Sequence, residues 1–194
     1  MSLAPYTNYK IGGPALYFVE VRLRLSQKES LINAKELLEA LEWARERNLS
    51  TFILGGGTNL LVSDKGYSGL VIRIQDSRFR IQDSGFKIQK NSANYKIVVG
   101  SGTLLNDMVN FALKQGLGGL EWAVGIPGTI GGAIRGNAGA FGSCMADVVK
   151  SVDVIKMEHG THNMEHITWN IRQKTSYKSE RINGKDMQFG YRTS

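Results

Sequence analysis

Glycine gathers in two places along this chain. "FILGGGTNLLVSD", Phe52 to Asp64, sets three consecutive glycines after an apolar run. "VGIPGTIGGAIRGNAGAFG", Val124 to Gly142, spreads Gly125, Gly128, Gly131, Gly132, Gly136, Gly139 and Gly142 among small and apolar residues. Glycine surrenders more backbone freedom on folding than any other residue, so two such clusters require a backbone shape or a clearance that side chains forbid.

Known phosphate loops do not account for the first cluster. No Gly-Lys-Ser/Thr follows it, and after Gly55 and Gly57 the third glycine of a dinucleotide fingerprint is replaced by Leu60. The run continues into Leu60, Leu61 and Val62, which reads as a strand, so no helix N-terminus is on offer. Two readings remain: a tight turn, or a strand-turn-strand nest in which successive glycine N–H groups, with Thr58 and Asn59, bind an anion such as a diphosphate. The second cluster favours the nest. Its glycine spacings suit neither a stable helix nor a strand, yet its Ile and Ala content suits burial, a combination expected of backbone laid against a flat ligand.

Around the clusters the chain alternates strands and helices. "ALYFVEVR", Ala15 to Arg22, is rich in β-formers, and Ser30 to Arg47 places Leu31, Ala34, Leu37, Leu38, Leu41 and Ala44 on one helical face, with Ser30 as N-cap and Asn48 at the stop. "TFIL" follows as a short buried strand, and "LLV" and "GLVIRI" as two more strands. "RIQDSRFRIQDSGFKIQK" repeats Arg73 to Ser77 as Arg80 to Ser84 and reads as a hairpin lengthened by local duplication. "YKIVVGSG" is a strand, "TLLNDMVNFALKQG" a helix capped by Thr103 and stopped by Gly116 with Leu105, Val109, Ala112 and Leu113 facing inward, "DVVKSVDVIKM" a strand, and "MEHGTHNMEHIT" a hairpin. Trp169 to Lys185 is polar and gives no clear pattern. The expected organisation is a first α/β lobe over 1–74 and a second over 75–194, with a β-hairpin at about 75–94.

Length and charge narrow the function classes. The 194 residues, 42% hydrophobic, support one sizeable core or two small lobes sharing a cleft. A net charge of +7 raises the question of nucleic acid, but the richest basic stretch, Arg172 to Lys185, is broken by Glu180, followed by Asp186, and has only Tyr177 as an aromatic; nucleic acid is not expected as a partner. Phosphate-bearing small molecules suit the charge equally well. No stretch approaches the roughly eighteen apolar residues of a membrane span, and "MSLAPYTNYK" lacks the regions of a signal peptide, so a cytoplasmic setting without membrane contact is expected. The single cysteine, Cys144, offers neither an intramolecular disulfide nor a multi-thiolate metal site, and reads as a small half-buried residue.

"NYKIGGPA", "LGGGTNLLVSD", "GLVIRI", "GLEWAVGIPGTIGGAIRGNAGAFG" and the terminal "YRTS" resemble, in order and spacing over nearly the whole chain, the FAD-binding part of the UDP-N-acetylenolpyruvoylglucosamine reductases. The resemblance implies an α+β, two-lobed FAD-binding fold of the vanillyl-alcohol-oxidase-like (PCMH) type with the flavin between the lobes. Gly55, Gly56, Gly57, Thr58 and Asn59 would hold its diphosphate. Gly125, Ile126, Pro127, Gly128, Thr129, Gly131, Gly132, Asn137, Gly139 and Ala140 would line the remainder, and Tyr191 would pack near the flavin. Neither cluster contains a histidine and Cys144 lies outside the matched motifs, so FAD is expected to be noncovalent.

The family's reaction, as the resemblance implies it, moves a hydride from NADPH by way of FAD to the enolpyruvyl methylene carbon of a nucleotide-sugar substrate, with a proton added at the neighbouring carbon. Negative charge then builds toward the substrate carboxylate, and Arg192 of "GYRTS" matches the arginine that stabilises it. The family's serine proton donor and assisting glutamate lie beyond this arginine in a C-terminal substrate domain; the sequence stops at Ser194, which aligns with the serine of Tyr-Arg-x-Ser and is not the donor. The chain alone is therefore expected to bind FAD without catalysing the reduction, its own missing C-terminal domain being a possible partner. Phe141 stands where the family often has tyrosine, and Ile167 to Met187 is longer than usual. A flavoprotein oxidase of the same fold and a non-catalytic flavin-binding module are the alternatives.

Overall fold

The computed structural model describes residues 1–22, 24–25, 32–75, 87–91, 94–157 and 177–190. The first part of the chain is organised by a three-stranded parallel sheet of β1 (Ala15–Arg22), β4 (Thr51–Leu54) and β5 (Tyr67–Gln75), in the order β1-β5-β4. Phe18 and Phe52 both stand beside Val71, so the central strand is paired along both edges. Its unbroken apolar run Leu70-Val71-Ile72 is what a doubly covered parallel strand requires. Leu70 and Ile72 join Val21 beneath helix α1 (Lys35–Glu46), which contributes Leu37 and Ala44. Val71 points the other way, to Leu3, Ala15 and Leu54, where the N-terminal segment covers the sheet. The period of two along β5 thus builds two cores from one strand.

Between β1 and α1, β2 (Arg24–Leu25) pairs antiparallel with β3 (Ile32–Asn33). This corrects the expected helix over 30–47, whose first residues are spent on the β3 ladder. Ser30 lies outside the described residues. The helix does stop at Asn48, which adopts φ +52° while Leu49 N–H donates to Ala44 O at 2.9 Å and Asn48 N–H to Arg45 O at 3.0 Å, the paired bonds of a Schellman ending.

The second part has its own core: Leu105, Val109 and Ala112 of α2 (Leu105–Lys114) with Trp122, Ala123, Ile130, Ala133 and Met145. β6 (Lys87–Asn91) and β7 (Asn94–Val98) form an antiparallel pair, so a hairpin exists at 87–98. Most of the duplicated stretch, 76–86, lies outside the described residues, as does most of the expected hairpin at 157–168. Thr103 is buried at 2% exposure, but α2 begins at Leu105 with Leu104 in the cap position, so the expected threonine cap is not made. Gly116 at φ +65° ends α2 by the same Schellman pattern, with Leu117 N–H to Ala112 O at 2.9 Å.

Further on, α3 (Ile130–Arg135) leads to a hairpin of β8 (Gly139–Ala140) and β9 (Ser143–Cys144), followed by α4 (Met145–Val148). β10 (Ser151–Met157) then pairs antiparallel with β11 (Tyr177–Asn183), resolving as strand a stretch whose polarity gave no sequence signal. Arg181 and Asp153 face each other in this ladder and form a two-pronged ion pair, Nε–Oδ1 2.6 Å and Nη2–Oδ2 2.9 Å.

Candidate functional site: two glycine loops in contact

The first glycine turn leaves β4 at Leu54 and is held from below by the N-terminal segment. Asn8 N–H donates to Gly57 O at 3.0 Å, and a Cβ on Gly57, whose φ is +64°, would run into the carbonyl oxygen of Tyr6. No strand follows: Leu60, Leu61 and Val62 are irregular, which corrects the expected strand-turn-strand reading. Leu60 and Val62 nevertheless pack against the core under the N-terminal segment while Leu61 is exposed, so the alternation persists without a ladder partner.

From above, the second glycine segment closes onto the first. A Cβ on Gly56 would lie 3.0 Å from Gly128 Cα and 3.4 Å from both Gly128 C and Thr129 N. One on Gly55 would lie 2.6 Å from Thr129 Oγ1, and one on Gly128, at φ +120°, 2.9 Å from Thr58 Oγ1. The Thr58 hydroxyl donates across the gap to Pro127 O at 3.4 Å. The clearance demanded by the sequence is therefore, in the first instance, clearance for the other loop.

Gly128 and its neighbours are fixed from behind. Leu105 N–H donates to Gly128 O at 2.9 Å, Ile130 N–H to Thr103 O at 2.8 Å and Gly131 N–H to Ser101 O at 2.8 Å. Thr129 caps α3, its hydroxyl oxygen accepting from Gly132 N–H at 3.3 Å. Thus the second cluster does contain a helix, contrary to the expectation from its glycine spacing. The buried Ile130 and Ala133 and the threonine cap offset the poor propensity of Gly131-Gly132.

The amide inventory separates the predicted residues. Gly131 and Gly132 spend their N–H groups on Ser101 and Thr129. Among the described residues, the N–H groups of Gly55, Gly56, Gly57, Gly125 and Gly128 donate to no protein acceptor. Pro127 has no N–H to offer. Gly55 and Gly128 are half-buried, Gly57 is buried, and Gly56, Asn59 and Gly125 are exposed. Unspent donors on two touching, side-chain-free loops are what a diphosphate needs from a site without a long helix behind it. Gly125, at φ +78° with nothing within 4 Å of its would-be Cβ, extends the bare backbone beyond that point, next to half-buried Ile126. The residues present fit the dinucleotide expected from the sequence.

Asn137 has a different place. It follows α3 at φ +43°, its Oδ1 accepts from Ala146 N–H at 3.0 Å, and its Nδ2 donates to Gly190 O at 3.1 Å. Gly139 and Ala140 form the first strand of the small hairpin, whose two-residue turn Phe141-Gly142 has φ +53° and +85°. Phe141 is 93% exposed at its tip. Tyr191 and Arg192 lie outside the described residues.

An apolar cavity of about 160 Å³ also occurs, beside Leu54, Leu60, Val62 and Val71 in the first core. None of Gly55 to Gly57 lines it, and its only side-chain hydroxyl groups apart from Tyr67 are those of Thr7 and Ser63. Among the described residues, no helix is long and apolar enough to cross a membrane.

A protein-family profile described as "FAD binding domain" matches residues 31–163. The chain is 40% identical over 157 residues to the UDP-N-acetylenolpyruvoylglucosamine reductase of Synechococcus sp. (strain WH7803), covering 79% of this chain and 44% of that protein. It is 35% identical over 192 residues to the protein of the same name from Synechococcus sp. (strain JA-3-3Ab), 99% of this chain and 50% of the other. The namesake from Prochlorococcus marinus (strain NATL2A) is 32% identical over 194 residues, 100% and 54% respectively. Among solved structures, the UDP-N-acetylenolpyruvylglucosamine reductase from Thermus caldophilus superimposes with a TM-score of 0.61 at 27% identity, over all of this chain and 55% of that one. The chain spans about half the length of the curated relatives it matches. The α+β FAD-binding fold expected from the sequence is the fold found.

Proposed function

Because this chain belongs to the FAD-binding domain family, we propose that it is the cofactor-binding half of an NADPH-dependent reductase that converts UDP-N-acetylglucosamine enolpyruvate to UDP-N-acetylmuramate for peptidoglycan. The observation that carries this reading is the contact of two glycine loops whose Gly55, Gly56, Gly57 and Gly128 amides are unspent. Those amides, with Thr58 and Asn59, would hold the diphosphate of FAD, and Gly125 and Ile126 would border its remainder. Bound noncovalently, FAD would supply the hydride relay, taking up two electrons and a proton together as hydride from NADPH and giving them to the substrate. Arg192 holds the substrate carboxylate, because a guanidinium stays charged and grips two oxygens at once as negative charge develops there. Tyr191 would pack near the flavin, as the family resemblance implies. The net change is addition of hydride and a proton across the enolpyruvyl double bond, with NADPH oxidised to NADP⁺.

The nucleotide sugar and the proton donor are supplied by the half of the relatives' length that these residues do not match. Holding a substrate in register contributes several kcal/mol to a barrier of this kind, roughly 7–11 kcal/mol in the best cases, so the 194 residues alone bind FAD but do not turn over. We place the protein in the cytoplasm, with a nucleotide-sugar substrate and no nucleic-acid or membrane partner. The test is reconstitution of the purified chain with FAD, followed by NADPH consumption with UDP-N-acetylglucosamine enolpyruvate, in this chain and in a version extended to the relatives' length. Flavin absorbance in both and turnover only in the longer one is the expected result. No recoverable flavin overturns the cofactor reading; an extended protein that ignores NADPH and oxidises an alcohol with oxygen overturns the reductase reading in favour of an oxidase.

A further inference from the structure

We propose that Asn137 is a positioning residue for Arg192, fixing the Gly190 carbonyl to the second glycine segment and so anchoring the chain two residues ahead of the arginine. The inference rests on the role given to Arg192 above.

Asn137 is the left-handed residue that ends α3: Asn137 N–H donates to Ile134 O at 3.0 Å and Ala138 N–H to Ala133 O at 2.8 Å. That task needs no carboxamide. Gly116 performs it for α2, and Asn48 performs it for α1 with an exposed side chain. At Asn137 both ends of the carboxamide are engaged instead, with partners 9 and 53 residues along the chain. The partners also fix which end is which. An N–H can only donate and a carbonyl can only accept, so Oδ1 must face Ala146 N–H and Nδ2 must face Gly190 O. Ala146 sits in the first turn of α4, where amides lack intrahelical acceptors, so that bond locks the side chain's orientation and leaves Nδ2 aimed at Gly190.

Two further residues reach at most about 7 Å along the chain. Tying down the Gly190 carbonyl therefore tethers the backbone that leads to Arg192 to the loop carrying Gly139 and Ala140. Since a misplacement of about 1 Å can cost on the order of a hundredfold in rate, one such bond is enough to matter.

Two substitutions separate this role from the helix stop. Asn137→Gly keeps the left-handed stop and removes both side-chain bonds. Asn137→Asp keeps the acceptor for Ala146 and sets a carboxylate oxygen against the Gly190 carbonyl. In the FAD-loaded full-length protein, each is expected to lower kcat about tenfold while KM for the enolpyruvyl substrate and FAD affinity stay within about threefold. On an Arg192→Lys background the further loss should fall below about twofold, because the clasp acts through the group already altered. Amide exchange supplies a readout independent of turnover: the 187–190 segment should exchange faster in both variants, and the start of α4 only in Asn137→Gly. Unchanged kcat in both Asn137 variants beside a strong Arg192→Lys defect overturns the inference alone, as does full additivity of the two sites. Normal turnover of Arg192→Lys itself overturns the reading beneath it, and the inference with it.

Discussion

Gly56→Val tests whether the contact between the glycine loops governs FAD binding. Gly56 is a clean position for this, since its φ lies outside the left-handed region and any cost of a side chain there is steric. A Cβ would stand 3.0 Å from Gly128 Cα and 3.4 Å from Thr129 N, against backbone rather than a side chain that could swing away. That backbone is pinned by Leu105 N–H to Gly128 O at 2.9 Å and Ile130 N–H to Thr103 O at 2.8 Å, so it does not give freely. Valine adds two methyl groups beyond the Cβ, and overfilling of this kind costs about 1–3 kcal/mol. Expressed in FAD affinity, the loss is roughly 5- to 150-fold in Kd. Thr58→Val is the matched control, with the same shape as threonine. It forfeits one hydroxyl donor, now given to Pro127 O at 3.4 Å and within the set assigned to the diphosphate, so about 1 kcal/mol or roughly fivefold in Kd is expected. The assay is titration of FAD into each apo chain, followed by quenching of flavin fluorescence, with urea midpoints of the same apo chains to show that folded proteins are being compared. Equal Kd changes in the two variants, or wild-type affinity in Gly56→Val, would refute the role assigned to the loop contact.

Two further substitutions test details of the same region. Phe141 holds φ +53° with its ring 93% exposed, at a turn position that favours asparagine before Gly142, so Phe141→Asn should stabilise the chain by about 0.5–1 kcal/mol and raise Tm by a few degrees; a lower Tm would mean that the ring makes a contact worth more than the strain. The Glu121 carboxyl is held below the usual range by hydrogen bonds from its own backbone amide and then from Gly119, whose N–H lies 2.8 Å and 3.0 Å from its two oxygens. A depressed carboxyl pKa contributes stability above its unfolded value and loses it as pH falls through the folded value, so Glu121→Gln should flatten the acid side of the stability–pH profile. Parallel profiles for the two proteins between neutral and acid pH would count against that account.

How far the sequence could be read depended on whether an element's signal is local. The bounds of β1 and β4 were legible to the residue, because each is an apolar run with turn chemistry beside it, but β4 is an edge strand with Phe52 and Ile53 exposed and only Leu54 buried, not the buried strand expected. Of the four residues expected to face inward along α2, Leu105, Val109 and Ala112 are buried, but Leu113 is 75% exposed, because it lies one position past Ala112 and turns out of the buried stripe. Leu60 to Val62 has the composition of a strand but finds no ladder partner, and partners are not a local property. The same holds in reverse for Tyr177 to Asn183, a polar stretch that becomes a strand because β10 lies beside it and Asp153 meets Arg181. α3 hides behind two glycines, and its threonine cap and buried Ile130 and Ala133 outweigh a propensity cost of about 1 kcal/mol per glycine. The clusters themselves were legible as sites of close approach. What approaches each of them was not, since that depends on loops some seventy residues apart meeting in space.

That meeting changes what a glycine in either cluster signifies. A glycine whose N–H is consumed by protein, as Gly131's is by Ser101 and Gly132's by Thr129, is there so that one segment can lie flat on another. A glycine whose N–H is unspent, as in Gly55, Gly56, Gly57 and Gly128, serves that purpose and offers a donor as well. The two kinds are indistinguishable in sequence, yet they differ in what substitution does. Alanine at Gly131 would press on Ser101 Cβ at 2.9 Å and loosen the support behind the site, so its effect belongs first to stability. Substitution at Gly56 presses on the facing loop itself, and its effect belongs to the ligand. Because Gly57 also rests on Tyr6 and Asn8, the donor row is held between the N-terminal segment on one side and the second core on the other. An anion drawn to those amides therefore bears on both parts of the chain at once, and its affinity reports on the alignment of the two loops as much as on any one donor.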